Sequence, residues 1–153
     1  MATVKIIDKD LGFKQIMKSI VGLKTKYVKV GLFGSGSDYN SNNALKGSVQ
    51  EYGTKDGRIP KRPILRGTFD RKKNNLVGMI GKELRRDIIK KTFDSYDVLL
   101  PAGKWLEKQI RVTIYGAIGL KPLAQSTIDR KGTDTVLVET GDLVNHVTTK
   151  KGR

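Results

Sequence analysis

The residue pattern predicts an α+β fold: a small, mainly antiparallel sheet packed with a long helical hairpin, in a single domain. Three observations predict it. Apolar residues recur at steps of three and four through two long stretches, 64–93 and 99–119. Asp94-Ser95-Tyr96-Asp97 is a turn signal between them, so the two helices should run antiparallel. Short β-rich runs bounded by Gly, Asp and Asn lie outside both stretches. With 153 residues, 37% of them hydrophobic, the chain is long enough for one domain with its own core.

The elements follow in order. Asp10 to Leu23 carries Leu11, Phe13, Ile16, Met17, Ile20, Val21 and Leu23 at helical spacing, with Asp8 or Asp10 as cap. Tyr27 to Phe33 is a strand with Val28, Val30 and Leu32 on one face, ended by the loop from Gly34. The Gly, Ser and Asn content of Gly34–Asn43 suits a loop that orders on assembly. Asn42 to Tyr52 reads as a short helix capped by Asn42 or Asn43. Pro60 and Pro63 stiffen an extended connector, Arg58 to Pro63, because each proline fixes its own φ and restricts its predecessor. The long helix then carries Leu76, Ile80, Leu84 and Ile88 at steps of four. Gly67, Gly78, Gly81 and Asn74-Asn75 make this helix imperfect, and their propensities allow a break near residue 74. In the next helix Pro101 is expected in the first turn. Pro122 to Ile128 is a short helix, Val136–Val138 a strand, Thr140–Asp142 a turn and Leu143–Thr148 a second strand. The domain is expected over 1–148, with a basic C-terminal tail over 149–153.

The chain carries 30 Lys and Arg against 15 Asp and Glu, a net charge of +15. The stretch 58–91 alone holds 12 basic and 3 acidic residues. Charge of this size and sign favours a polyanionic partner. Arg58, Lys61, Arg62, Arg66, Arg71, Lys72 and Lys73 are the candidates to face DNA or a neighbouring subunit. Phe69 is the only aromatic between Tyr52 and Phe93, which argues against a base-stacking platform along this stretch. No apolar run approaches the ~18 residues of a membrane span, so no membrane partner is expected.

The sequence holds no catalytic constellation. There is no cysteine, which removes disulfides, thiolate chemistry and zinc–thiolate sites. The single histidine, His146, has no serine in a nucleophile elbow to serve. Glu51, Glu83, Glu107 and Glu139 sit mostly among Lys and Arg, which lower a carboxyl pKa and work against a general acid. Gly34-x-Gly36 completes neither a dinucleotide fingerprint nor a P-loop. Asp38, Asp134 and Asp142 match no metal-loop spacing. The expectation is no catalytic residue, no cofactor and no metal.

Four segments share an order with one known group. They are Val49-Gln50-Glu51-Tyr52-Gly53-Thr54, then Ile59-Pro60-Lys61-Arg62-Pro63-Ile64-Leu65-Arg66, then Leu123 to Gly132 with its Ser126-Thr127-Ile128, then Leu137 to Val147 with its Thr140-Gly141-Asp142-Leu143. In this order the chain resembles the tailed-bacteriophage virion morphogenesis and tail-completion proteins, which join heads to tails or terminate tails. Ile64 stands where that group often has an aromatic, and His146 where it often has Ser.

The resemblance implies a non-enzymatic virion protein: a homo-oligomeric ring, usually a hexamer, at the neck or top of the tail. Its partners would be tail tube or sheath proteins, head–tail connector proteins and, non-specifically, the genome DNA passing through. Assembly would take place in the host cytoplasm. The alternative class is a small basic nucleic-acid-binding module that works without a ring.

Overall fold

The computed structural model describes residues 12–34, 42–90, 94–132 and 141–152. Eight elements occur in the order α1 (Phe13–Thr25), β1 (Tyr27–Leu32), α2 (Asn43–Tyr52), α3 (Leu65–Lys90), α4 (Ser95–Tyr115), α5 (Gln125–Lys131), α6 (Asp142–Asn145) and β2 (Val147–Gly152). The class is α+β: a two-stranded antiparallel sheet and a long helical hairpin.

The centre of the fold is α4. Val98, Ala102, Leu106, Ile110 and Ile114 step by four and are all buried. Such a stripe drifts slowly around a 3.6-residue helix and faces one side of it. Helix α4 packs against both strands and along α3, whose Leu65 and Leu76 join Val30 and Leu32 of β1 against this core. Ile64, Leu143, Val144 and Val147 complete the core with Leu106, Ile110 and Ile114. Asp94 starts α4 by accepting the Tyr96 N–H at 2.9 Å on its carboxylate. The helix therefore begins a turn earlier than expected, and Pro101 sits inside it rather than in its first turn.

Helix α3 runs unbroken for 26 residues, about 39 Å at ~1.5 Å per residue. The possible break near residue 74 does not occur. Packing along α4 outweighs the propensity cost of two asparagines and three glycines. The hairpin is antiparallel, since Thr68 near the start of α3 meets Thr113 near the end of α4, their hydroxyls 2.8 Å apart.

The C-terminal part departs most from expectation. Leu143 to Asn145 form a helical turn, not a strand. The strand starts at Val147 and runs through Gly152. Residues 149–152, expected as part of a tail, are the last four of the six residues of β2, which pairs with β1 in the register Tyr27↔Gly152 to Leu32↔Val147. Pairing with an exposed strand edge overrides the weak strand propensity of Lys150-Lys151-Gly152. Gly103 lets the ribbon sit close on α4: a Cβ there would lie 2.7 Å from Val28 Cγ1 and 2.9 Å from Thr149 Cγ2. Glu107 and Arg111 fix the same contact. Glu107 accepts the Thr149 hydroxyl at 2.8 Å, and Arg111 donates to the Val147 carbonyl at 2.8 Å. The short helix after Pro122 is α5, three residues later than expected at its start. The strand expected at Val136–Val138, most of the loop 35–41 and the caps Asp8 and Asp10 lie outside the described residues.

Candidate functional site

The first two motif segments fold into one junction between α2 and α3. Helix α2 starts at Asn42, whose side chain accepts the Leu45 N–H at 3.0 Å, and ends at Gly53. Gly53 has φ +76°, and a Cβ there would lie 2.9 Å from the Ile59 carbonyl oxygen, so only glycine fits. Thr54 accepts the Ile59 N–H on its hydroxyl at 2.9 Å and donates its own N–H to the Ile59 carbonyl at 3.0 Å. The connector folds back on α2, where the Arg62 N–H reaches the Gln50 carbonyl at 2.8 Å. Pro60 and Pro63 lie on this folded-back segment, half-buried.

Two charged groups are spent inside this junction. Glu51, 6% exposed, accepts the Leu65 and Arg66 N–H groups at 2.9 Å each. The carboxylate thus caps α3 from a neighbouring helix, where the N–H groups and the helix dipole both favour an anion. Arg62, 4% exposed, donates to the Lys121 carbonyl at 2.9 Å, the Pro122 carbonyl at 3.1 Å and Gln50 Oε1 at 3.2 Å. Burial lowers its pKa from the ordinary value. Arg62 does not face outward with the other basic candidates; its donors are taken by the chain itself.

The other candidates stay at the surface but do not make one patch. Arg58 is exposed and pairs with Asp56 at 3.2 Å. Lys61 is exposed and Lys72 half-buried. Successive helical residues turn by about 100°, so Arg71, Lys72 and Lys73 fan out over about 200°. Arg66 and Lys73, seven apart, share a face. Arg71 turns back toward the hydroxyls of Thr68 and Thr113, at 3.5 and 3.4 Å.

The carboxylates weighed for catalysis are held by neighbours. Glu107 is bound by Arg111 and Thr149, and Glu83 pairs with Arg86. Asp142 pairs with Lys46 at 3.0 Å and with His146 Nδ1 at 3.0 Å, which keeps its pKa below the ordinary value, the Lys46 hydrogen bond contributing most. Among the described residues no three His, Asp or Glu side chains gather where a metal could be held. No helix among them is long and apolar enough to cross a membrane. Glu139, Asp38 and Asp134 lie outside the described residues.

No family model matches this chain, and no curated protein or solved structure is detectably similar to it.

Two surfaces went unmarked by the sequence reading. On α1, Phe13, Met17, Ile20 and Val21 are 69%, 45%, 41% and 55% exposed. They recur at i, i+4, i+7 and i+8, so they line one side of the helix. Their spacing was visible in the sequence; their outward direction was not. The second surface lies on the β1–β2 ribbon, where Lys29 of β1 stands directly opposite Lys150 of β2. These lysines are 121 positions apart in sequence, so no local window brings them together.

Proposed function

We propose that this chain is a structural subunit of a ring at the neck or the top of the tail of a tailed bacteriophage, joining tail to head connector while the genome passes through. The ring is a homo-oligomer, with six copies as the expected number, and the subunit acts by shape rather than by catalysis.

The observation that carries the proposal is the outward apolar side of α1. Four large apolar side chains on one helix face, each 41% exposed or more, cost free energy in water. A neighbouring copy that covers them recovers that cost at roughly 25 cal/mol per Å² of apolar surface. The motif order of the sequence supplies the phage context. The junction built by Glu51, Gly53, Thr54 and Arg62 supplies a rigid support, as a ring subunit requires.

Sedimentation and negative-stain imaging of the purified protein, alone and with tail tubes, test the proposal. Closed rings that cap tubes are expected from the wild type. Met17→Glu/Val21→Glu should give subunits with unchanged circular dichroism that no longer close into rings. A wild type that stays monomeric at the highest concentration reached, and leaves tubes uncapped, overturns it.

A further inference from the structure

We propose that the end of the β1–β2 ribbon that meets the start of α4 binds the phosphodiester backbone of duplex DNA, through Lys29 and Lys150 on the ribbon's outer face and through Lys26 and Lys151, which gather at Tyr96 on the side toward α4. The register places Lys29 directly opposite Lys150, and both are exposed. Like charges directly opposed across a ribbon destabilise it, so the pair costs the free protein stability. An anion laid over the pair removes that cost.

The ammonium groups are not left to wander. Lys29 Nζ lies 5.4 Å from the centre of the Tyr27 ring, and Lys150 Nζ lies 4.6 Å from that of Phe33. Tyr96 carries two more, Lys26 at 4.9 Å and Lys151 at 4.8 Å, and its hydroxyl donates to the Gly152 carbonyl at 2.7 Å. These are the four cation–π contacts among the described residues, and all fall at this end of the molecule. Asp94, bound to Lys26 at 3.2 Å, is the acidic group among them. Ring faces hold a cation by electrostatics and restrict its side chain, so less freedom is lost when a phosphate arrives.

The shape of the array selects the ligand. From Lys26 to Lys29 the chain advances three residues, about 10 Å at ~3.3 Å each, and Lys150 and Lys151 lie opposite this same span. A single phosphate needs one pocket, whereas four ammonium groups spread around the ribbon end in two pairs suit a polyanion carrying a charge every ~1.7 Å of its axis. The rings favour backbone contact over base stacking. Tyr27 lies against Gly152 and also carries Lys29, and Tyr96 carries two cations, so these rings serve lysines rather than bases. The choice of duplex DNA rests on the ring reading, in which the genome passes the subunit. The lysine array rests on geometry alone.

Fluorescence anisotropy of the full-length protein with a labelled random-sequence duplex, over a salt series, tests the inference. Competitors are a single strand of equal length and polyglutamate. Lys29→Gln/Lys150→Gln relieves the opposed charges, so its thermal midpoint should equal or exceed the wild type. Losing two phosphate contacts should make the slope of log affinity against log salt shallower by about 1.8, so that raising salt from 50 to 200 mM costs the variant about 12-fold less affinity than the wild type. Lys61→Gln/Lys73→Gln, in the basic stretch away from the ribbon, should keep the wild-type slope. A wild-type slope in the ribbon variant overturns the inference, as does polyglutamate competing as well as duplex, or single strand binding more tightly than duplex. Imaging the ribbon variant keeps the two proposals apart. Rings that form with an unchanged slope sink this inference alone, and a shallower slope in a protein that never forms rings sinks the ring alone.

Discussion

Glu51→Ala should destabilise the fold far more than a surface carboxylate substitution would. The side chain is 6% exposed and accepts two backbone N–H groups at the start of α3, both at 2.9 Å. Loss of a helix cap costs about 0.5–2 kcal/mol, and each buried donor left without an acceptor costs about 1–3 kcal/mol. A cleft of about 270 Å³ lined by Leu32, Gly47, Glu51, Tyr52, Leu65 and Arg66 opens beside the carboxylate. Water can enter there, which holds the cost toward the low end, about 3 kcal/mol. For a chain of this size that lowers the thermal midpoint by about 6–12 °C. Glu51→Gln keeps the shape and one good acceptor oxygen but removes the negative charge from the helix N-terminus, for about 1 kcal/mol. Urea denaturation followed by circular dichroism, at one fixed protein concentration, measures both. A Glu51→Ala cost under about 0.5 kcal/mol, or a Glu51→Gln cost as large as that of Glu51→Ala, would refute this role of the carboxylate.

Gly103→Ala should cost about 1–3 kcal/mol, because its Cβ would crowd the stiff β-branched Val28 and Thr149. Gly78→Ala, where an added Cβ meets nothing within 4 Å, should instead stabilise α3 by about 1 kcal/mol, and thermal melts of the pair give the two signs. Arg62→Lys should cost about 2 kcal/mol in denaturant titrations, since one ammonium cannot replace three fixed guanidinium bonds, yet leave duplex affinity at the wild-type value. The Asp94 carboxyl is held below its ordinary value of 3.8, first by the Tyr96 N–H and then by Lys26. Its contribution to stability is therefore present above about pH 4 and lost as the pH falls through the lower folded value. Asp94→Asn keeps the cap, so its deficit against wild type in melting temperature should shrink toward zero over that acid range.

Which parts of the fold could be read from the sequence follows from where the deciding contacts lie. Helix α4 declares itself locally through Ala102, Leu106, Ile110 and Ile114, whereas its first turn, from Ser95, reads as part of the preceding turn. The junction glycine at 53 is legible for the same reason: turn chemistry acts within a few residues. Strand β2 is not, because residues 150–152 become strand only by meeting β1 from the other end of the chain. Propensity says little about such a segment, and a one-residue slip in register would reverse which lysines face outward. Arg62 misled for a related reason. Inside a basic run an arginine reads as solvated, and its acceptors at residues 121 and 122 arrive only with the fold.

The residues that carry the resemblance and the residues that carry the proposed surfaces are different sets. Glu51, Gly53, Thr54 and Arg62 together close one α2–α3 junction, and each would be replaced only at a cost in stability. The α1 stripe and the ribbon lysines close nothing inside the subunit. The stripe exposes apolar area, and Lys29 opposite Lys150 repels across the strands, so both lower the stability of an isolated chain. Features that cost the lone subunit free energy are explained by what the subunit meets. Under the two proposals, a second copy on α1 and a polyanion on the ribbon would each convert such a cost into binding free energy. The same chain should therefore melt at a higher temperature in the assembled, DNA-loaded state than alone, by mass action on the folded form.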